Sequence, residues 1–262
     1  MNTYKLLVAD IDGTVVDHGS DGSEVGLRHP AKQAMDTARS QGKAITFATG
    51  RNYLWAKPVI EAFQIVTPVI VNSGSRLVDP MNDQVLWEKR LETALGKSVY
   101  DFIQHSGMST NFSIGLGYLE EVPFEKATQK AINDLIYLDL IGIAKEEDIE
   151  RIVTYVKRFD NAHVTVLPSP QVPGNKNIVV TNSEGTKYNA LRELQKLLGV
   201  IQAETIAIGD GENDLPLFEA SGLKAAVDNA DEKLKQAADL LVSSVNEHGI
   251  VEVIETQLIK RS

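Results

Sequence analysis

Apolar and polar positions alternate along this chain in blocks that predict an open α/β architecture. Leu6-Leu7-Val8-Ala9 is an unbroken apolar run, the pattern of a central parallel strand buried on both faces. After it, 17–28 is rich in Gly, Ser and Asp and reads as an exposed loop. A helix is predicted over 31–41, ended by Gly42, then a strand over 43–48. A second helix over 55–63 has Pro58 in its first turns or at a kink, and a third strand over 67–71 ends at Asn72-Ser73-Gly74-Ser75. Strands separated by helices of this length are βαβ units of a parallel sheet.

The pattern changes at the turn-rich cluster Asp79-Pro80-Met81-Asn82-Asp83. Beyond it, strand-like stretches over 84–91 and 109–114 alternate with helices over 92–105, 124–135 and 145–159. Two further strands, 163–167 and 177–181, flank a Pro- and Gly-rich tip and predict an antiparallel hairpin. After 182–185 the βαβ style returns. A helix over 187–198 sets Leu191, Leu194, Leu197 and Leu198 on one face as core packing, and strands follow over 204–208, 223–227 and 240–242. Helices over 232–238 and 249–258 complete the reading. The expected fold is therefore a doubly wound parallel sheet in two chain segments, 1–80 and 184–262, with an α+β insertion, 81–183.

Composition narrows the function. With 262 residues, 43% of them hydrophobic and 24% charged, the chain is an ordinary globular protein with no window of eighteen apolar residues. No membrane association is expected. Met1 to Lys5 enters the first strand directly, which leaves no room for a signal peptide, and zero cysteines exclude disulfides and thiolate chemistry. Both fit a cytoplasmic location. A formal charge of −10 argues against nucleic acid as a partner. It is compatible with a small phosphorylated metabolite, because one divalent cation and one lysine reverse the local sign. Monomer and dimer both stay open.

Polar clusters fall where strands end. Asp10-Ile11-Asp12-Gly13-Thr14 follows the first strand, Thr49-Gly50-Arg51 the second, Ser73-Gly74 the third, and Gly209-Asp210-Gly211-Glu212-Asn213-Asp214 the strand over 204–208. Ligands of open parallel sheets bind beyond the carboxyl ends of the strands, near a switch point. In extended backbone, Asp10 and Asp12 point to the same side and repel unless a cation neutralises them. Asp210, Asn213 and Asp214 offer hard oxygens that suit Mg²⁺. Lys187 opens a helix, the end where the macrodipole favours anions. Either it is a solvated surface lysine, or an anion sits beside it.

These pieces resemble, residue by residue and in order, the four motifs of the haloacid dehalogenase superfamily of phosphohydrolases. An insertion of this size, with Lys187 soon after it, resembles the α+β cap of the Cof-type branch. One departure is Ser73-Gly74-Ser75 where that branch commonly has Asn-Gly-Ala. The resemblance implies a Mg²⁺-dependent phosphatase. Asp10 is then the nucleophile that forms an aspartyl-phosphate, and Asp12 the acid/base, with a carboxyl pKa above that of Asp10. Thr49, Gly50, Lys187 and Gly13 bind the phosphoryl group. Asp10, the Asp12 carbonyl and Asp210 hold the cation, Asn213 and Asp214 orient its shell, and Arg51 is a possible substrate contact. A cap over the core site would select a small substrate, with a sugar phosphate first. The alternatives are a sugar phosphomutase of the same branch and a non-catalytic phosphate sensor. His18, His29, His105, His163 and His248 lack metal-ligand spacing and are read as surface or structural residues, and Gly115-Leu116-Gly117-Tyr118 as a plain turn.

Overall fold

The computed structural model describes residues 4–108, 113–115, 121–123, 136–169 and 172–259. Strand β1, Leu6–Ala9, has all four side chains buried. It pairs in parallel with β2 (Ala44–Phe47) on one edge and β11 (Thr205–Gly209) on the other. Neither face nor edge meets water, which is why the run carries no polar side chain. Beyond β11 lie β12 (Leu223–Val227) and β13 (Leu240–Val242), giving a five-stranded parallel sheet in the order β13-β12-β11-β1-β2.

Helix α1 (Pro30–Ser40) connects β1 to β2, while α6 (Leu215–Glu219) and α7 (Glu232–Ala237) connect β11 to β12 and β12 to β13. The chain thus winds outward in opposite directions from the β1–β11 pair. Right-handed crossovers then put the two sets of helices on opposite faces, and the pair itself is the switch point. The doubly wound core expected from the sequence is present. Helix α8 (Gly249–Val253), continued by a π-helical turn over Ile254–Leu258, packs on α1, and α5 (Lys187–Leu198) packs on α6. On α5, Leu191 and Leu194 are fully buried, but Leu197 is 57% exposed. Leu197 is therefore not part of the core face that the leucine spacing predicts.

Helix α2 (Tyr53–Ala62) starts two residues earlier than its periodicity suggests, because Asn52 caps it by accepting the Trp55 N–H at 3.0 Å. Pro58 lies inside this helix. Strand β3 (Val69–Val71) joins β2 through a parallel bridge between Ala48 and Ile70. It also pairs antiparallel with β4 (Arg76–Asp79), a strand the sequence reading lacked, and β5 (Gln84–Glu88) extends that small sheet. Between β3 and β4 the backbone turns through Asn72 and Ser73, both with positive φ (54° and 56°).

The chain divides into two compact units, Met1–Trp87 with Lys187–Ser262, and Glu88–Thr186. The second unit has an antiparallel sheet of β6 (Ser113–Gly115), β7 (Glu121–Pro123), β8 (Leu138–Ile143), β9 (Ala162–Pro168) and β10 (Lys176–Asn182) in the order β7-β6-β8-β10-β9. β9 and β10 form the expected hairpin. Helices α3 (Thr93–His105) and α4 (Glu146–Val156) join through a Phe102–Tyr155 stack with centroids 3.9 Å apart. The helix expected over 124–135 and the turn residues 116–118 lie outside the described residues. Among the described residues, no helix is long and apolar enough to cross a membrane.

Candidate active site

The switch point brings two acidic loops together. Asp10 leaves β1 with its N–H on the Ile208 carbonyl of β11 at 3.0 Å, so the first loop starts in register with the second. The first loop closes on itself as the N–H groups of Val15 and Val16 bond the Ile11 carbonyl. Gly13 sits in this loop at φ 73°, and a Cβ there would collide with the Asp210 carboxylate. Only glycine permits that approach. Gly209 plays the same part in the second loop. Its bare α-carbon lets the Asp214 carboxylate fold back to accept the N–H groups of Asp210 (3.1 Å) and Gly211 (3.2 Å).

Lys187 is the surprise of burial. It opens α5, yet only 3% of its side chain is exposed. Its Nζ lies 2.7 Å from Asp10 Oδ1 and 2.6 Å from Asp214 Oδ1. A solvated surface lysine is excluded, and the anions beside it are these two carboxylates. Burial works to discharge Lys187, but Asp10 and Asp214 outweigh it and hold the ammonium well above its ordinary range. Asp10 itself is pushed well above the ordinary carboxylate range. Burial is the main cause, Lys187 opposes it, and Asp214, Asp210 and Asp12 reinforce it. Asp214 is also raised by burial, again against Lys187.

Asp12 has different partners. Its carboxylate accepts Arg51 Nε at 2.8 Å and Nη2 at 2.6 Å in a fork, with the Gly19 N–H at 3.0 Å. Burial would raise its pKa, but the Arg51 hydrogen bonds and charge win, and the carboxyl is held below its usual value. In the cation-free site Asp10 is thus the raised carboxyl and Asp12 the lowered one, the opposite of the order expected for catalysis. Burial raises Asp10, and the guanidinium, read from the sequence as a possible substrate contact, lowers Asp12.

Thr49, buried at the end of β2, accepts the Arg51 N–H through Oγ1 at 3.1 Å, while its own N–H bonds the Ile70 carbonyl at 2.9 Å. Gly50 has its bare face toward Ser73 Oγ, 3.5 Å from where a Cβ would stand. Asn213 is half-buried in the turn Glu212–Asp214. Two residues missed in the sequence also enter. Thr14 Oγ1 donates to Asp210 Oδ1 at 3.3 Å, and His18 Nε2 lies 3.4 Å from Asp210 Oδ2, which raises the imidazole pKa. The nearness of His18 to Asp12 in sequence was the available signal for it.

Among the described residues, one group of acidic side chains has metal-site spacing: Asp10, Asp210 and Asp214, with one oxygen from each inside 4.8 Å of the others. The Asp12 carboxylate, turned to Arg51, is not among them. With all four carboxyls ionised, Asp10, Asp12, Asp210 and Asp214 face two fixed cations, Lys187 and Arg51, leaving an excess of two negative charges. An all-oxygen donor set with that excess fits a hard divalent cation.

The chain is similar over most of its length to known proteins. YxeH of Bacillus subtilis (strain 168) is 27% identical, covering 98% of this chain and all of that protein. A phosphoglycolate phosphatase of Methanosarcina acetivorans is 24% identical over 96% of each chain. The solved structure of the subclass IIB sugar phosphatase BT4131 superposes with a TM-score of 0.73 at 20% identity, covering 95% of this chain and 97% of that one. The family of haloacid dehalogenase-like hydrolases matches residues 7–254, and this chain belongs to it.

Proposed function

We propose that the site hydrolyses a small phosphate monoester, a sugar phosphate first, with Mg²⁺ as its cation and an aspartyl-phosphate on Asp10. The observation that carries this reading is the buried Asp10–Lys187–Asp214 chain at the switch point, because it pairs a nucleophile with a fixed ammonium beside an oxygen-only cation site. Phosphatase relatives that act on small phosphorylated compounds support it.

In the first half-reaction an Asp10 carboxylate oxygen attacks phosphorus as the bond to the leaving oxygen breaks, and Asp12 gives that oxygen a proton. In the second, water attacks phosphorus, the Asp10–phosphorus bond breaks, and Asp12 takes the proton back. Thr49, Gly50 and Lys187 supply donors to the phosphoryl oxygens. Arg51 holds Asp12 in the ionised form that the second half-reaction needs. In the first, an incoming phosphate dianion competes for the guanidinium and lets Asp12 carry its proton. Asp10, Asp210 and the Asp12 carbonyl would hold Mg²⁺, with Asn213 and Asp214 around it; the cation neutralises carboxylates and developing phosphoryl charge. The second unit is assigned the choice of substrate.

Phosphate release from sugar phosphates, phosphoglycolate, nucleotides and pyridoxal phosphate tests the proposal, with Mg²⁺, with EDTA and with Asp10→Asn. Turnover that needs the cation and vanishes in the variant is the expected result. Absence of turnover on every compound by folded, Mg²⁺-binding protein would overturn it.

A further inference from the structure

The turn after β12, Asp228-Asn229-Ala230-Asp231, carries no motif that the sequence reading used, yet it touches both acidic loops. Asn229 Nδ2 donates to the Gly13 carbonyl at 2.8 Å, and its Oδ1 accepts the Val245 N–H at 2.9 Å. Both ends of the amide are satisfied in one orientation only, since a flipped amide would face oxygen with oxygen and N–H with N–H. Two residues on, the Asp231 N–H donates to the Asp210 carbonyl at 2.7 Å, and Asp231 Oδ2 accepts the Glu212 N–H at 3.2 Å. A further bond inside the turn, Ala230 N–H to the Val227 carbonyl at 2.9 Å, fixes Asn229 relative to Asp231.

We propose that this turn is a positioning element of the active site: Asn229 holds the Asp10–Asp12 loop, Asp231 holds the Asp210–Asp214 loop, and the spacing between the two sets of carboxylates follows from one short piece of backbone. The two loops carry four carboxylates, and the single Lys187 ammonium between them offsets only part of their mutual repulsion. The groups gripped on each loop are main-chain carbonyls and an N–H, which do not titrate, so the grip persists while the charge in the site changes. Asn229 and Asp231 act through other residues and touch no reacting atom. The catalytic part of this inference rests on the phosphatase reading; the cation-binding part does not.

The test uses the whole 262-residue chain, four variants (Asn229→Ala, Asn229→Asp, Asp231→Ala and Asp231→Asn) and one control variant. Mg²⁺ affinity is measured by calorimetry on metal-free protein, melting temperature in EDTA, and kcat and KM on the best substrate. Loss of such a supporting contact typically costs ~10–100-fold in metal affinity or activity, and that range is expected for Asn229→Ala. KM should stay within about threefold, as for contacts that align reacting groups. Asn229→Asp keeps the acceptor for Val245 but faces the Gly13 carbonyl with oxygen, so it should match the alanine variant. Asp231→Ala should weaken Mg²⁺ binding less, because the Asp231 N–H remains, and Asp231→Asn should restore it by keeping an acceptor for Glu212. Asp228→Asn, in the same turn with its side chain 81% exposed, is the control expected to match wild type. Wild-type Mg²⁺ affinity in folded Asn229→Asp and Asp231→Ala would overturn the proposal. If wild type binds Mg²⁺ and hydrolyses nothing, the phosphatase reading falls and the affinity measurements still decide this one.

Discussion

Asp10 and Asp12 stand two residues apart on one loop, yet the molecule treats them in opposite ways. Asp10 is sealed against Lys187 and Asp214, with 6% of its side chain exposed, while Asp12 is 25% exposed and forked to Arg51. The inner half of the site is a dry arrangement of fixed charges, and desolvation governs it. The outer half is an ion pair within reach of water, governed by hydrogen bonding to one guanidinium. A nucleophile benefits from the first setting, because its position must not vary. A group that gives and takes a proton benefits from the second, because its partner can be exchanged.

Four measurements would break or sharpen that contrast. The largest effect is expected from Asp10→Asn, which keeps an acceptor for Lys187 but removes the proposed nucleophile. Turnover should fall on the order of 10⁴-fold or more in a phosphate-release assay, and a smaller loss would mean that Asp10 is not the attacking group. Next is Lys187→Met, which leaves two buried carboxylates without their counter-charge. Denaturant unfolding should show a loss of ~3–5 kcal/mol, with Mg²⁺ restoring part of it.

The third concerns pH. Without a cation, Asp10 and Asp214 keep their protons to higher pH than they do in the unfolded chain. Their contribution to stability is therefore fully present below the ordinary carboxylate range and is lost as pH rises through their raised values. The melting temperature in EDTA should fall across that window, and Mg²⁺ should flatten or reverse the fall. The same linkage makes Mg²⁺ binding weaker as pH drops. Asp12 has the opposite sign: its stabilisation is present above the ordinary range and disappears as pH falls through its lowered value. The smallest effect is expected from Arg51→Ala. Without the guanidinium the Asp12 carboxyl returns toward its usual value, so the alkaline limb of the kcat/KM profile, where the general acid loses its proton, should move to higher pH. An unmoved limb would show that Arg51 does not set the state of Asp12.

Much of this arrangement is legible in the sequence, and the limits have physical causes. The apolar run at β1, the Gly-flanked acidic pairs and the helix that begins at Lys187 are local patterns, and local patterns survive in one dimension. The resemblance also offered Asp214 as a partner for Lys187, but the burial of that lysine and its contact with Asp10 are less accessible, because nothing near it in sequence announces them. The Arg51–Asp12 fork is invisible for the same reason, and with it the order of the two carboxyl pKa values. Asn229 reaches Gly13 across more than two hundred residues, and as part of Asp-Asn-Ala it looks like any turn. Leu197 shows the converse. Its spacing fits a core face, but a helix stripe can be wider than the surface available to cover it, and that residue is left in water. β4 was missed because Arg76, although buried, interrupts the apolar pattern.

The split of the core between two chain segments has a consequence for how the protein is made. β1 is paired on one edge by β11, about 200 residues later, and at a synthesis rate of roughly 5–20 residues per second that partner arrives ~10–40 s after β1 leaves the ribosome. Through that interval Leu6–Ala9 has β2 to one side and nothing to the other. A strand that is wholly apolar and wholly buried in the finished fold waits as an open edge, and the nascent chain is exposed to mispairing until its last third emerges.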